Sequence, residues 1–147
     1  MRAVVTRVDS AAVTVNGETV GEIGKGFLVL LGVSVSDTER EADRIADRIC
    51  GLRVFEDENG RMNLAPDKAG AALLIVSQFT LYADCSSRRP GFTKAAGGAV
   101  AEPLYERCMQ KCRERGFQVA HGVFGADMKV SSVNDGPVTL VLDTDIL

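Results

Sequence analysis

Apolar and polar positions alternate from the first residues. Val4, Thr6 and Val8 fall on one face of an extended segment and Ala3, Val5 and Arg7 on the other, after which Ala11 to Val15 runs into Asn16-Gly17 and Glu18 to Ile23. Asn-Gly is a strong hairpin signal because both residues tolerate positive φ, so the chain is expected to open with a β-hairpin. Gly24-Lys25-Gly26 leads into FLVLLGV, Phe27 to Val33, an apolar run too short for a typical helix and expected to lie mid-sheet. Ser36 with Glu39 three residues on reads as a capping box, and Ala42, Ile45, Ala46 and Ile49 repeat at helical spacing as far as Cys50-Gly51. Leu52 to Phe55 and Arg61 to Leu64 flank an Asp57-Glu58-Asn59-Gly60 turn. Ala72 to Leu81 is the most apolar strand candidate, yet its end carries Ser77, Gln78 and Thr80. Glu102 to Arg115 returns to helical periodicity through Leu104, Cys108 and Cys112, with Gly116 as the C′ residue. Phe117 to His121, Asp127 to Val133 and Val138 to Leu142 complete the strands, with Gly136-Pro137 at a turn between the last two. The sum is α+β: a mostly antiparallel sheet with two main helices.

Composition narrows the class. With 147 residues, 46% hydrophobic and 25% charged, the chain fits one domain over residues 1–147. No apolar run approaches the roughly 20 residues of a membrane span, and the start lacks the apolar block of a secretory signal. A cytoplasmic protein with no membrane partner is expected. In that compartment the four cysteines, Cys50, Cys85, Cys108 and Cys112, read as reduced thiols. Cys108 and Cys112 share a helix face and with His121 suggest metal ligands, but no second pair completes a zinc set, so neither metal nor organic cofactor is expected. Net charge is -3, from 17 basic and 20 acidic residues, so any contact with nucleic acid must be local. The basic segment is Cys85 to Gly98, with Arg88, Arg89 and Lys94 and no acid between Asp84 and Glu102.

Familiar catalytic groups are missing from the pattern. His121 is the single imidazole, and no nucleophile motif surrounds it. Gly24-Lys25-Gly26 and Gly97-Gly98 match neither the phosphate loop nor the dinucleotide fingerprint. What remains is SQFTLYAD, Ser77 to Asp84, and NDGPVT, Asn134 to Thr139.

Together with GADMKV, Gly125 to Val130, and the opening MRAVVTRV, these strings closely resemble the D-aminoacyl-tRNA deacylase family over essentially the whole chain. The resemblance implies a homodimeric, β-barrel-like fold. It implies hydrolysis of the ester that joins a D-amino acid, or mischarged glycine, to the 3′ adenosine of tRNA. By that analogy the backbone amides of Phe79 and Thr80 hold the carbonyl oxygen as charge develops on it, Gln78 orients the substrate, and Ser77 is a substrate-binding residue beside them. Thr80 is read as a positioner rather than a nucleophile, since no base stands beside it in the sequence. An X-Pro pair is trans by default, whereas the family uses a Gly-cisPro pair from one subunit as a chirality filter in the pocket of the other; here that pair is Gly136-Pro137. Arg7 braces this loop, and Phe124 and Met128 line the adenosine pocket. Arg88, Arg89 and Lys94, in a segment shorter than is common in the family, contact tRNA phosphates. Two rival readings are a catalytically silent protein that binds the tRNA acceptor end and a thiol redox sensor built on Cys108 and Cys112.

Overall fold

One strand organises the molecule. In the computed structural model, which describes residues 1–147, β1 (Arg2–Val15) takes different neighbours along its two halves. Its first half pairs antiparallel with β3 (Gly26–Gly32), from Arg2 opposite Gly32 to Val8 opposite Gly26. Its second half pairs on with β2 (Glu18–Ile23) across Asn16-Gly17, where φ is 50° and 80°, the left-handed pair that suits a tight hairpin. Along its other edge β1 pairs with the last strand, β8 (Lys129–Asp143).

β3 then pairs in parallel with β6 (Ala72–Ser77), and β6 in parallel with β7 (Val119–His121). Parallel neighbours need a crossover, and the helices provide it: α1 (Glu39–Gly51) lies between β3 and β6 in the chain, α2 (Gly98–Glu114) between β6 and β7. A separate ribbon joins β4 (Phe55–Glu56) to β5 (Met62–Leu64). The main order is β2-β1-β3-β6-β7, with β8 on β1. At the far side β2 closes on β7: a Cβ at Gly21 would strike the carbonyl of His121. The architecture is therefore α+β with a nearly closed, barrel-like sheet, and the sheet is mixed, antiparallel around β1 and parallel beyond β3.

Two apolar layers meet on β3 and β6. Phe27, Val29 and Leu31, with Leu73 and Ile75, face the helices and pack with Ile45, Ile49, Leu104 and Cys108. Leu28, Leu74 and Val76 point the other way, toward Val8, Val13 and Ile23. Burial on both faces is why these strands read as unbroken apolar runs.

Several boundaries differ from the sequence-based expectation. Thr38, not Ser36, caps α1: its hydroxyl accepts from the Arg40 N–H at 3.3 Å, and Glu41 accepts from the Thr38 N–H at 2.7 Å. Ser36 is held in the preceding turn, closed by the Asp37 N–H to Ser34 O bond of 3.1 Å. The strand expected over Ala72 to Leu81 stops at Ser77, and Phe79–Tyr82 forms a 3₁₀ turn. Leu52 and Val54 pack on the core unpaired, so only Phe55–Glu56 is strand there. The second helix begins at Gly98 rather than Glu102. The two strands expected after Asp127 are one, and Gly136-Pro137 is a bulge in it rather than a turn. Thr6 faces Thr139 and Val8 faces Asn134, so residues 135–138 stand opposite Arg7 alone.

Candidate functional site

A cavity of about 370 Å³ opens where β6 ends. Leu31 and Val33 of the β3 end, Ala101 and Tyr105 of α2, and the segment from Phe124 to Val130 make its walls, and Ser77, Gln78 and Phe79 its polar end. The small side chains of Ala96, Gly98, Ala101 and Ala126 leave the space open. Of its 15 lining residues only Tyr105 can ionise, and burial pushes that phenol well above its ordinary value. Its hydroxyl donates to Ile75 O at 2.6 Å and its ring packs on Phe124, so it is a neutral wall rather than an acid.

The polar end owes its shape to a change of backbone geometry. The Gln78 N–H donates to Leu31 O at 2.8 Å, just beyond the last β3–β6 register pair at Ser77, and the chain then tightens into the 3₁₀ turn. Gly32 permits this, because a Cβ there would lie 2.9 Å from Gln78 O and 3.0 Å from the Leu81 Cβ. Leu81 N–H to Gln78 O (3.2 Å) and Ala83 N–H to Thr80 O (3.0 Å) close the turn. The amides of Phe79 and Thr80 fall outside that pattern, as the first donors of any helical turn do. Arg2 pins the turn from behind, donating to Leu81 O at 3.0 Å and to Asp143 at 2.9 Å, with its guanidinium 4.6 Å from the Tyr82 ring centre. The Gln78 side-chain amide donates to the Thr80 hydroxyl at 2.5 Å.

Thus Ser77, Gln78, Phe79, Phe124 and Met128 line one cavity, with Thr80 tied to it through Gln78. Arg7, Gly136 and Pro137 gather elsewhere, at the β8 bulge. Arg7 is only 5% exposed, donates to Val54 O at 2.6 Å and to Asp135 O at 3.3 Å, and meets the Asp135 carboxylate at 3.1 Å. Gly136 has a φ of 127°, and a Cβ on it would lie 2.8 Å from Val138 N and 3.3 Å from Arg7 Nη2. The Gly136-Pro137 peptide is cis, and both residues are exposed. Arg88, Arg89 and Lys94 are also exposed and have no acidic partner, on a segment clipped by reciprocal Asp84 and Gly91 backbone bonds of 2.8 and 2.9 Å.

Cysteine and histidine do not converge. Cys108 and Cys112 are buried between the helices, whereas His121 is exposed on β7 with Nδ1 2.6 Å from Gly122 O. The hydrogen bond with Cys108, followed by burial, pushes the Cys112 thiol up to about 12. A thiol so held is protonated at neutral pH and a poor nucleophile. Arg2, Gly32 and Tyr105 were not anticipated as site residues, since an arginine, a glycine and a tyrosine within regular elements carry no local signal of a site.

Fold and cavity define a class: a barrel-like α+β protein whose pocket has apolar walls, a polar end at Ser77 and Gln78, and no acid/base pair among its lining side chains. The family model "D-Tyr-tRNA(Tyr) deacylase" matches residues 4–143. The D-aminoacyl-tRNA deacylase of Symbiobacterium thermophilum is 54% identical over 146 residues, covering 99% of this chain and 97% of that protein. A solved structure titled "c-Myc DNA Unwinding Element Binding Protein" is 40% identical with a TM-score of 0.92, covering 98% of this chain and 99% of that one. Another, titled as a probable eukaryotic D-amino acid tRNA deacylase, shares the fold at 18% identity with a TM-score of 0.84, covering 96% and 97%. The chain belongs to the D-Tyr-tRNA(Tyr) deacylase family.

Proposed function

We propose that the protein is a D-aminoacyl-tRNA deacylase, a single-domain hydrolase that cleaves the ester of D-aminoacyl-tRNA and of mischarged glycyl-tRNA and releases free amino acid and tRNA as a proofreading step of translation in the cytoplasm. The observation that carries this reading, beside family membership, is the pocket's chemistry: the Phe79 and Thr80 amides stand without a main-chain partner beside its polar end, and no lining side chain is able to act as base. Water attacks the ester carbonyl, and the Phe79 and Thr80 amides take up the oxyanion charge, where fixed donors contribute most. Gln78 holds the Thr80 hydroxyl as acceptor of its amide, which suits Thr80 to positioning rather than attack. The vicinal 2′-hydroxyl of the substrate's own ribose assists the water. Phe124 and Met128 receive the adenosine, and Arg88, Arg89 and Lys94 contact phosphates.

Chirality is read by the Gly136-Pro137 bulge of a second copy, entering this cavity across a two-fold axis, with Arg7 as its brace. Rejecting an L substrate a thousandfold requires about 4 kcal/mol, within the reach of a steric clash. The dimer is supported by β8: it pairs on one edge only, and Val133 and Val141 are 57% and 72% exposed. A long unpaired edge with exposed valines invites a partner.

The test is hydrolysis of D-tyrosyl-, L-tyrosyl- and glycyl-tRNA by the purified protein, with the solution mass measured in parallel. Cleavage of the D and glycyl substrates, sparing of the L ester and a mass of two chains are expected. Equal rates on D and L esters, or tRNA binding without turnover, would overturn the reading.

A further inference from the structure

Two phenylalanines stand in water at the rim of the cavity. Phe79 is 55% and Phe92 40% exposed, and their rings meet edge to face with centres 5.2 Å apart and an interplanar angle of 68°. An edge-on pair covers at most one ring face between its two members, and the 55% and 40% exposure leaves aromatic surface in contact with solvent. Phe92 follows the Asp84–Gly91 clip directly, and its carbonyl accepts from the Ala95 N–H at 3.1 Å, setting up Ala96, which lines the cavity. The same loop carries Arg88, Arg89 and Lys94, none of them paired with an acid.

We propose that Phe92, stacked against Phe79, is a base-stacking step for the nucleotide that precedes the terminal adenosine of the tRNA acceptor strand. The inference rests on the deacylase reading and extends the binding site beyond the adenosine pocket. Open aromatic faces set among unpaired cations are the usual means of holding single-stranded nucleic acid without reading its sequence. A second copy of the chain is the less suitable occupant. Two-fold pairing through this patch would bring Arg88, Arg89 and Lys94 of each copy against one another, with Asp84 of the clip as the loop's single carboxylate to offset three cations.

The test compares two substrates, D-tyrosyl-tRNA and D-tyrosyl-adenosine, the second of which ends at the nucleoside and cannot reach the step. Phe92→Ala is expected to raise KM for the tRNA about tenfold, equivalent to about 1.4 kcal/mol, with kcat little altered, and to raise KM for the adenosine ester less than twofold. Phe92→Tyr, which keeps a ring face, is expected to restore the tRNA KM, whereas Phe92→Leu, apolar but not flat, is expected to behave as Phe92→Ala. Equal losses on both substrates, or full rescue by leucine, would show a packing role and sink the proposal. So would a shift of Phe92→Ala from dimer to monomer. Failure of the parent protein to cleave either ester would instead defeat the deacylase reading itself.

Discussion

The cavity and the Gly136-Pro137 bulge are made of opposite materials. The cavity sits at the end of two strands buried on both faces, and its polar end is fixed by a ladder that stops and a turn that begins. The bulge lies on the exposed strand β8, outside that support, and a single buried guanidinium ties it to Val54 O and Asp135. On the reading proposed above, groups that must not move come from the core, whereas a group that reaches a neighbour stands at an edge and has its own brace. Within one chain neither Gly136 nor Pro137 lines the cavity, and under the dimer proposed above each chain would present two half-sites.

The largest effect is expected where the bulge is disturbed. Gly136 combines a φ of 127° with backbone 2.8 Å from any added Cβ, so Gly136→Ala must shift the bulge. A displacement of about 1 Å at a positioning element can cost on the order of a hundredfold, and kcat/KM for D-tyrosyl-tRNA is expected to fall by about that factor with the helical circular dichroism unchanged. Mixing sharpens the comparison. Ala126→Trp fills the cavity and leaves the bulge intact, so co-refolding it with Gly136→Ala makes mixed dimers that carry one site assembled from two undamaged halves. With random pairing about a quarter of the parent activity should return, since half the dimers are mixed and half their sites are whole. No recovery from the mixture would mean that both halves serve the same chain's site.

A smaller effect is expected inside the cavity. Thr80→Val removes the hydroxyl that accepts from Gln78 but leaves the Thr80 amide in place. Loss of one positioning hydrogen bond, about 1 kcal/mol, lowers kcat roughly fivefold. Complete loss of turnover, or an acyl group trapped on Thr80, would make the hydroxyl a nucleophile and reverse its assigned role.

The contrast also sorts what could be read from the sequence. Asn16-Gly17, the apolar runs of β3 and β6 and the helical spacing of α1 are local patterns, and each led to the right element. Strand direction was not local: an apolar run signals burial on both faces whichever way its neighbour runs, so the parallel β3–β6 and β6–β7 pairs stayed hidden. The tighter turn at Phe79–Tyr82 was hidden too, because it depends on Gly32 and Arg2, remote in sequence. In the site, the polar cluster Ser77, Gln78 and Thr80 was conspicuous against apolar neighbours. By contrast Arg7, Phe124 and Met128 came only through family resemblance, since a strand arginine, a half-buried phenylalanine and a methionine carry no signal of their own. Tyr105 had no signal of its own in the sequence; it is buried, and its cavity face follows from the small residues around it.

The smallest effect concerns how the cavity wall is held. α2 contributes Ala101 and Tyr105 to the cavity, and Arg107 on the same helix grips Asp43 of α1 through two bonds of 2.7 and 3.0 Å. The bulge is held through Arg7 rather than through this tie, so weakening the tie should loosen the cavity more than the bulge. The hydrogen bond from Arg107 lowers the Asp43 carboxyl below its ordinary value, which is about 3.9 unfolded. A carboxyl lowered by folding stabilises the native state fully above the unfolded value, and that contribution is lost as pH falls through the lowered one. Asp43→Asn should therefore melt slightly below the parent at pH 7, by about 2 °C, because both groups are partly exposed and solvent screens them. The gap should narrow below about pH 4 and close at lower pH, where the parent carboxyl is protonated and both proteins carry an uncharged side chain at position 43. Melting curves at pH 7 and in acid decide the point: a gap that persists undiminished in acid would assign the loss to packing, and the Arg107–Asp43 charge pair would no longer be what anchors the wall.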